Sequence, residues 1–353
     1  MVTLAFLQFQ DALRSQASNQ LTTVRDLKIK QVQTYLNQIE QDIKLVAGLP
    51  NVKTAIQQLA ISVRSQGLDQ VRQMGFLGRP DLYYLEAYHP YAVYHAKYHA
   101  FFRELVLTKD YTDIWLVTPD GDIIYTFAKR DDFAVNLLKA PFQGTAPAQL
   151  FRNLLADSRS GRMQMTDYVV YPPAGDFPVS FIGAPILEED EIIGVLIYEL
   201  SPDQLNNLMQ EQIGFWKSGE TYLVGADHLL RTNTRLGAQA NFFEQRVDTL
   251  AVRKGLSGES GVALIEDYRG IPVLSAYRAL KINHFKWVLL AEVDKSEAFS
   301  PSNRLRNLMV IIILVTTLVV IGAGLFIGRS IAKPITELAE TSAQIASGNL
   351  ELR

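Results

Sequence analysis

One segment limits every architecture open to this chain: residues 308–328, LMVIIILVTTLVVIGAGLFIG, run for 21 positions without a charge. At about 1.5 Å per residue, a helix of this length covers the roughly 30 Å hydrocarbon layer of a bilayer. Arg304 and Arg306 stand before it, Arg329 and Lys333 after it. Buried helices of soluble domains rarely lack every charge for six turns, so a transmembrane helix is expected. Two charges on each flank leave its orientation open under the positive-inside rule. The opening MVTLAFLQF is apolar but too short to cross. It reads as the remnant of a first span, a weak signal core without a basic n-region, or a helix start.

The rest of the 353 residues must fold outside the bilayer, and that length suits two or three domains of about 100–150 residues. A net charge of −3 leaves no basic surplus to meet a phosphate backbone, so no nucleic-acid partner is expected. The chain has no cysteine, which excludes disulfides, thiol nucleophiles and Cys-ligated zinc or iron–sulfur centres.

From Asp11 to about Val46 no Gly or Pro intervenes, and Val32, Leu36, Ile39, Ile43 and Val46 recur at steps of three and four. This predicts one long helix with a heptad-like seam that asks for a partner helix. Gly48 and Pro50 end it, and shorter helices carry Ile56, Leu59 and Val63, then Tyr91, Tyr94, Tyr98, Phe102 and Leu105. At Asp113 the texture becomes β-branched and aromatic. Residues 113–117 and 123–127 form a predicted hairpin around a Pro-Asp-Gly turn, followed by a short helix at 147–156 and strands near 167–171, 179–187 and 192–200. WLVTPDGDIIYT (115–126) aligns with YLVGADHLLRT (222–232), and GVLIYELS (194–201) with WVLLAEVD (287–294). The first pair opens a sheet and the second closes one, so the chain is read as α+β, with a second, shorter copy of the module over about 219–294.

Two common catalytic motifs are missing from the sequence. No P-loop pattern occurs, and residues 255–261, Gly-Leu-Ser-Gly-Glu-Ser-Gly, miss the final Gly of a serine elbow in either frame. His95 and His99 have the i, i+4 spacing of metal ligands but no third ligand, and packing among aromatics is the better reading. Glu188 to Glu191 read as a solvated hairpin tip rather than a calcium site. Six tyrosines, Tyr83, Tyr84, Tyr88, Tyr91, Tyr94 and Tyr98, suit a helix packed over the sheet. Gly324 and Gly328 form a GxxxG pair in the span. No catalytic residue, metal or cofactor is expected. A membrane-anchored extracytoplasmic enzyme and an adhesive ectodomain stand as rival readings.

DIWLVTPDGDIIYT, GETYLVGADHLLRTNT and DYRGIPVLSAY resemble the double Cache sensors, tandem PAS-like modules of bacterial transmembrane receptors. Residues 331–353, with Ile331, Lys333, Pro334, Ile335 and Leu338, resemble the start of a HAMP linker. The resemblance divides the chain into a first-span remnant (1–10), a long helix (11–47), a membrane-distal Cache module (48–200), a connecting helix (201–218) and a proximal module (219–295). A juxtamembrane helix (296–307), the span (308–328) and a partial HAMP linker (329–353) complete it. It implies a homodimer in the cytoplasmic membrane, with 11–303 outside and 333–353 inside. It also implies an output domain beyond Arg353: a histidine kinase first, a chemotaxis domain or nucleotide cyclase next. Pro334 would act in signal transmission.

The expected pocket lies in the distal module. Period-2 alternation places Ile123, Tyr125 and Phe127 on one face of their strand, with Trp115 joining from the neighbouring strand. Asp132 and Asp167 are the nearest carboxylates to fix a polar or cationic group of a small-molecule ligand. Amino-acid-binding members of the family carry Arg-x-Trp-Tyr soon after this hairpin. Here the stretch reads Lys129-Arg130-Asp131-Asp132-Phe133, which leaves the ligand class open.

Overall fold

The computed structural model describes residues 2–83, 85, 89–156, 163–175, 177–211, 216–237 and 242–346. Tyr84, Tyr88, the end of the connecting segment at 212–215 and the tail from 347 lie outside the described residues. The chain divides into two compact units, Met1–Ala17 with Ser296–Arg353, and Ser18–Lys295.

Helix α1 (Val2–Gly48) enters the larger unit at Ser18 and is followed there by α2 (Pro50–Gln66), α3 (Leu68–Gln73) and α4 (Pro90–Lys109). Pro50 and Pro90 each stand in a first helical turn, where their missing N–H costs nothing. There follow β1 (Asp113–Val117), β2 (Ile123–Thr126), α5 (Ala146–Ala156), β3 (Gln164–Met165), β4 (Val169–Val170), β5 (Pro178–Glu188) and β6 (Glu191–Leu200). They form an antiparallel sheet in the order β2-β1-β6-β5-β3, with β4 also on β5. The β5–β6 hairpin turns at Glu189 and Asp190, both with positive φ, as two-residue hairpin turns require.

Both faces of this sheet are covered. Ile39, Ile43 and Val46 of α1, Ile56 and Leu59 of α2, and Tyr98 and Phe102 of α4 share a core with Ile114, Leu116, Tyr125 and Leu196. A Cβ at Gly194 would fall 1.8 Å from Ile56 Cδ1, so glycine there lets α2 lie directly on β6. On the other face Leu150, Phe151 and Leu154 of α5 pack with Trp115, Val117, Ile123 and Phe181. The α1 seam is thereby largely consumed within the chain: Val32, Ile39, Ile43 and Val46 are buried in its own core and Leu36 packs against it. A sheet needs an apolar cover, and the same stripe that reads as a dimer seam supplies it.

Helix α6 (Asp203–Gln210) leads to the second module: β7 (Glu220–Gly225), α7 (Leu250–Leu256), β8 (Gly261–Glu266), β9 (Pro272–Ile282) and β10 (Phe285–Asp294). Its order β7-β10-β9-β8 repeats the β1-β6-β5 arrangement of the first. The counterpart of β2 is reduced to isolated bridges, Val224 with Leu230 and Leu229 with Arg246. The α+β class and the two tandem antiparallel sheets are as the sequence implies.

In the smaller unit, α8 (Lys295–Ala298) and α9 (Ser300–Ile327) precede a π-helical turn at Gly328–Ala332 and α10 (Lys333–Ala346). Among the described residues one helix is long and apolar enough to cross a membrane, with a mean hydropathy of 3.0. Its side chains from Leu308 to Ile327 are exposed apart from the half-buried Met309. Pro334 is the second residue of α10, in the helical turn that tolerates it.

Candidate functional site

The ladder between β1 and β6 sets Asp113 directly opposite Glu199. Both are fully buried, and Asp132, on the segment after β2, is buried beside them. Asp113 is completely bonded. Its Oδ1 accepts from the backbone N–H groups of Ile114 (2.7 Å), Phe127 (2.8 Å) and Ala128 (2.9 Å), and its Oδ2 from Trp115 Nε1 (3.0 Å). It ties β1 to the chain leaving β2. Glu199 accepts from Arg130 through both oxygens, at 2.8 and 3.0 Å. Asp132 differs: neither oxygen has a hydrogen-bond partner of normal geometry, nor does the Tyr171 hydroxyl beside it. Trp115, Tyr171 and Phe181 close this side, with ring centroids 5.1–5.9 Å apart.

Three carboxylates thus share one arginine in a buried, aromatic-walled space. Burial raises the proton affinity of all three, and mutual repulsion raises it further at Asp132 and Glu199. Such a site disfavours anions. On the outer side of the segment carrying Asp132, an open cavity of about 1020 Å³ is lined by Arg72, Asp131, Val135, Asn136, Lys139 and Phe142, among others.

No family model matches the chain. It is 22% identical over 261 residues to the probable chemoreceptor y4sI of Sinorhizobium fredii (strain NBRC 101917 / NGR234). That match covers 73% of this chain and 32% of the relative, so the chain spans about a third of the relative's length. The ligand-binding domain of Campylobacter jejuni chemoreceptor Tlp3, solved with L-valine, superposes with a TM-score of 0.50 at 13% identity, covering 82% of this chain and 97% of that one. The ligand-binding domain of Pseudomonas fluorescens chemoreceptor CtaA with L-isoleucine gives 0.47 at 17% identity, covering 82% and 98%. The chain has the double Cache fold.

Within this double Cache fold, the five residues expected to line one pocket do not converge. Val117 pairs with Ile123 but Leu116 pairs with Tyr125, so Ile124 is an extra residue, a β-bulge. The bulge breaks the period-2 alternation. Ile123 faces α5 together with Trp115, whereas Tyr125 and Phe127 face the helices, where His99 Nδ1 and the Tyr125 hydroxyl are 2.8 Å apart. His95 and His99 stack there at 4.7 Å, and burial lowers the pKa of both, so they pack as neutral rings. Asp167 lies elsewhere again. It accepts from Arg231 Nε (2.9 Å) and Nη2 (3.0 Å) and from Trp287 Nε1 (2.9 Å), all in the second module. Trp115 and Asp132 remain in the acidic box, and the sequence reading missed Asp113, Arg130, Tyr171 and Glu199. An acidic residue inside an otherwise apolar central strand, as in DIWLV and GVLIYEL, is the signal that marks Asp113 and Glu199.

Proposed function

We propose that the first module binds a small molecule through a protonated amine, and that the chain is the sensing and membrane-crossing part of a bacterial receptor. The observation carrying this reading is Asp132: a carboxylate with no exposed surface, no well-formed hydrogen bond beyond a loose contact with the Tyr171 hydroxyl, and two further carboxylates beside it. An ammonium group would supply both the missing donors and the missing charge. The amino acid bound by the chemoreceptor Tlp3 carries such a group. Arg130 is already paired with Glu199, so a free arginine for a ligand carboxylate is lacking at this box, which favours an amine over a zwitterion. Entry requires the 131–142 segment to swing outward, and the open cavity on its outer side leaves room for that.

Thermal unfolding of the full chain in detergent should shift upward with alkylamines of two to five carbons and not with the matching alcohols. Asp132→Asn should abolish the shift. Equal stabilisation by alcohols, or a response that survives Asp132→Asn, would sink the amine reading.

The exposed apolar helix α9 supports a membrane receptor, and the resemblance to double Cache sensors and HAMP linkers supports 11–303 outside the cell and 333–353 inside. A homodimer, a HAMP-like role for α10 with Pro334 in transmission, and an output domain of the kinase, chemotaxis or cyclase type complete the proposal. A single cysteine at Ser218 that reacts with impermeant reagents only from the cytoplasmic side would overturn the orientation.

A further inference from the structure

We propose that Arg72 is the positioning residue of the Asp132 site: from α3, outside the acidic box, it grips the backbone on both sides of Asp132 and keeps that carboxylate turned inward. Its Nη1 donates to the Asp131 carbonyl at 2.8 Å and also to the Phe133 carbonyl, the two that bracket Asp132. Its Nη2 stands 3.6 Å from the Asp131 carboxylate. The two successive acids therefore point opposite ways. Asp131 is 86% exposed beside Arg72, and Asp132 has no exposed surface. Arg72 itself rides on a fixed base, since Val71 next to it is fully buried in the same core as Phe133.

The inward pose needs such a hold, because Asp132 has little of its own. Its oxygens make no well-formed hydrogen bond, and what faces them is Asp113 from β1, Glu199 from β6, Arg130 from the same segment and the Tyr171 hydroxyl. Two of these are like charges. The cation among them is already bonded to Glu199 through both carboxylate oxygens. A way out is at hand, for the open cavity lined by Arg72, Asp131 and Asn136 lies on the other side of the same backbone. A charged carboxylate is better solvated there than buried among other acids.

Asp132 stays inside because its neighbours are pinned. Before it, Lys129 Nζ donates to the carbonyls of Arg79, Pro80 and Leu82 at 3.0, 3.2 and 3.1 Å. After it, the Phe133 ring is buried against Phe76 and Tyr91, with centroids 6.2 and 6.3 Å away, and the Val135 carbonyl accepts from the Ile123 N–H at 2.9 Å. These anchors fix the ends of the stretch. Arg72 spans its middle with a planar fork that one guanidinium can present to two acceptors, which an ammonium cannot match. As a residue of the amine site Arg72 rests on the reading above, but its hold on Asp132 is measurable without any ligand.

The test melts the full chain in detergent at about pH 6.5 and about pH 8, as parent, Arg72→Met, Asp132→Asn and the double variant. A carboxylate whose proton affinity is raised by folding loses stability as pH rises, so Asp132→Asn should shrink the drop in Tm between the two conditions. Arg72→Met should shrink it at least about half as much, because a carboxylate that has turned out to water titrates as an ordinary aspartate. In the double variant Arg72→Met should add nothing to the effect of Asp132→Asn. Arg72→Lys should fall between the parent and Arg72→Met. With butylamine as the probe, the concentration needed for a given Tm shift should rise about tenfold in Arg72→Met, as the inward pose becomes a minor one. A Tm lowered equally at both pH values, with the parent's drop intact, would make Arg72 a merely structural contact and overturn the proposal. A parent with no drop for Asp132→Asn to remove would overturn it too. A parent that ignores butylamine yet shows the pH pattern would sink the amine reading and leave Arg72 as the residue that positions Asp132. Should Arg72→Met fail to fold, Arg72→Lys decides, and a drop equal to the parent's overturns the proposal.

Discussion

The two modules place carboxylates at matching positions and then treat them differently. In each, a central antiparallel pair sets two acids face to face, Asp113 with Glu199 and Glu220 with Glu292, and a third acid arrives from a connecting segment with one arginine nearby. In the second module that third acid, Asp267, is fixed by two backbone N–H groups and by Arg269. In the first it is Asp132, whose oxygens make no well-formed hydrogen bond and have only the Tyr171 hydroxyl close by. A buried polar group without a well-formed hydrogen bond is costly, so the two modules differ in how firmly their third acid is held.

The modules are joined by the run that borders the first site. Asp167 grips Arg231 and Trp287, Tyr168 stacks on Trp287 at 5.9 Å, and Tyr171 stands beside Asp132. Asp167→Ala gives the largest expected effect, because it leaves a guanidinium of 3% exposure with Asp227 as its one carboxylate and the Leu229 carbonyl as its other acceptor, and takes the acceptor from the Trp287 indole N–H. A loss of about 2–4 kcal/mol is expected in urea unfolding followed by tryptophan fluorescence. The amine response should persist. A change below about 0.5 kcal/mol would show that Asp167 does not couple the modules, and a lost amine response at full stability would return it to the ligand site.

The sequence was most legible where local pattern and tertiary role agree. The Pro-Asp-Gly turn, the acidic hairpin tip and the two aligned strand pairs all appear as read, because turn chemistry and apolar runs are decided within a few residues. Two features defeated that reasoning. A bulge adds one residue to β2, and no local signal in Ile123-Ile124-Tyr125 announces it, yet it reverses which face Tyr125 occupies. The partners of Asp167 lie 64 and 120 positions away, so its side chain reads as a free carboxylate until the second module is folded against it. The aligned repeats did hold the matching acids: Glu199 and Glu292 occupy the same column of GVLIYELS and WVLLAEVD. Treating buried-strand acids as a signal in their own right would have drawn attention to both clusters.

A smaller effect tests whether Asp132 is as unfavourably placed as the comparison requires. Burial, with repulsion from Asp113 and Glu199, pushes its pKa up to about 8 in the folded protein, against about 3.9 for an exposed aspartate. The folded state therefore holds a proton that the unfolded chain releases. The associated stability is complete below about pH 4 and disappears as pH rises through about 8. Unliganded protein should lose Tm across that window, by about 2–4 °C for each kcal/mol involved. Asp132→Asn carries no titrating group at this position, so its profile should be flatter and its Tm at pH 8 should exceed that of the parent by a few degrees. If Asp132→Asn is less stable than the parent at pH 8, Asp132 has a partner in solution, and the contrast between the two modules fails at the residue on which it rests.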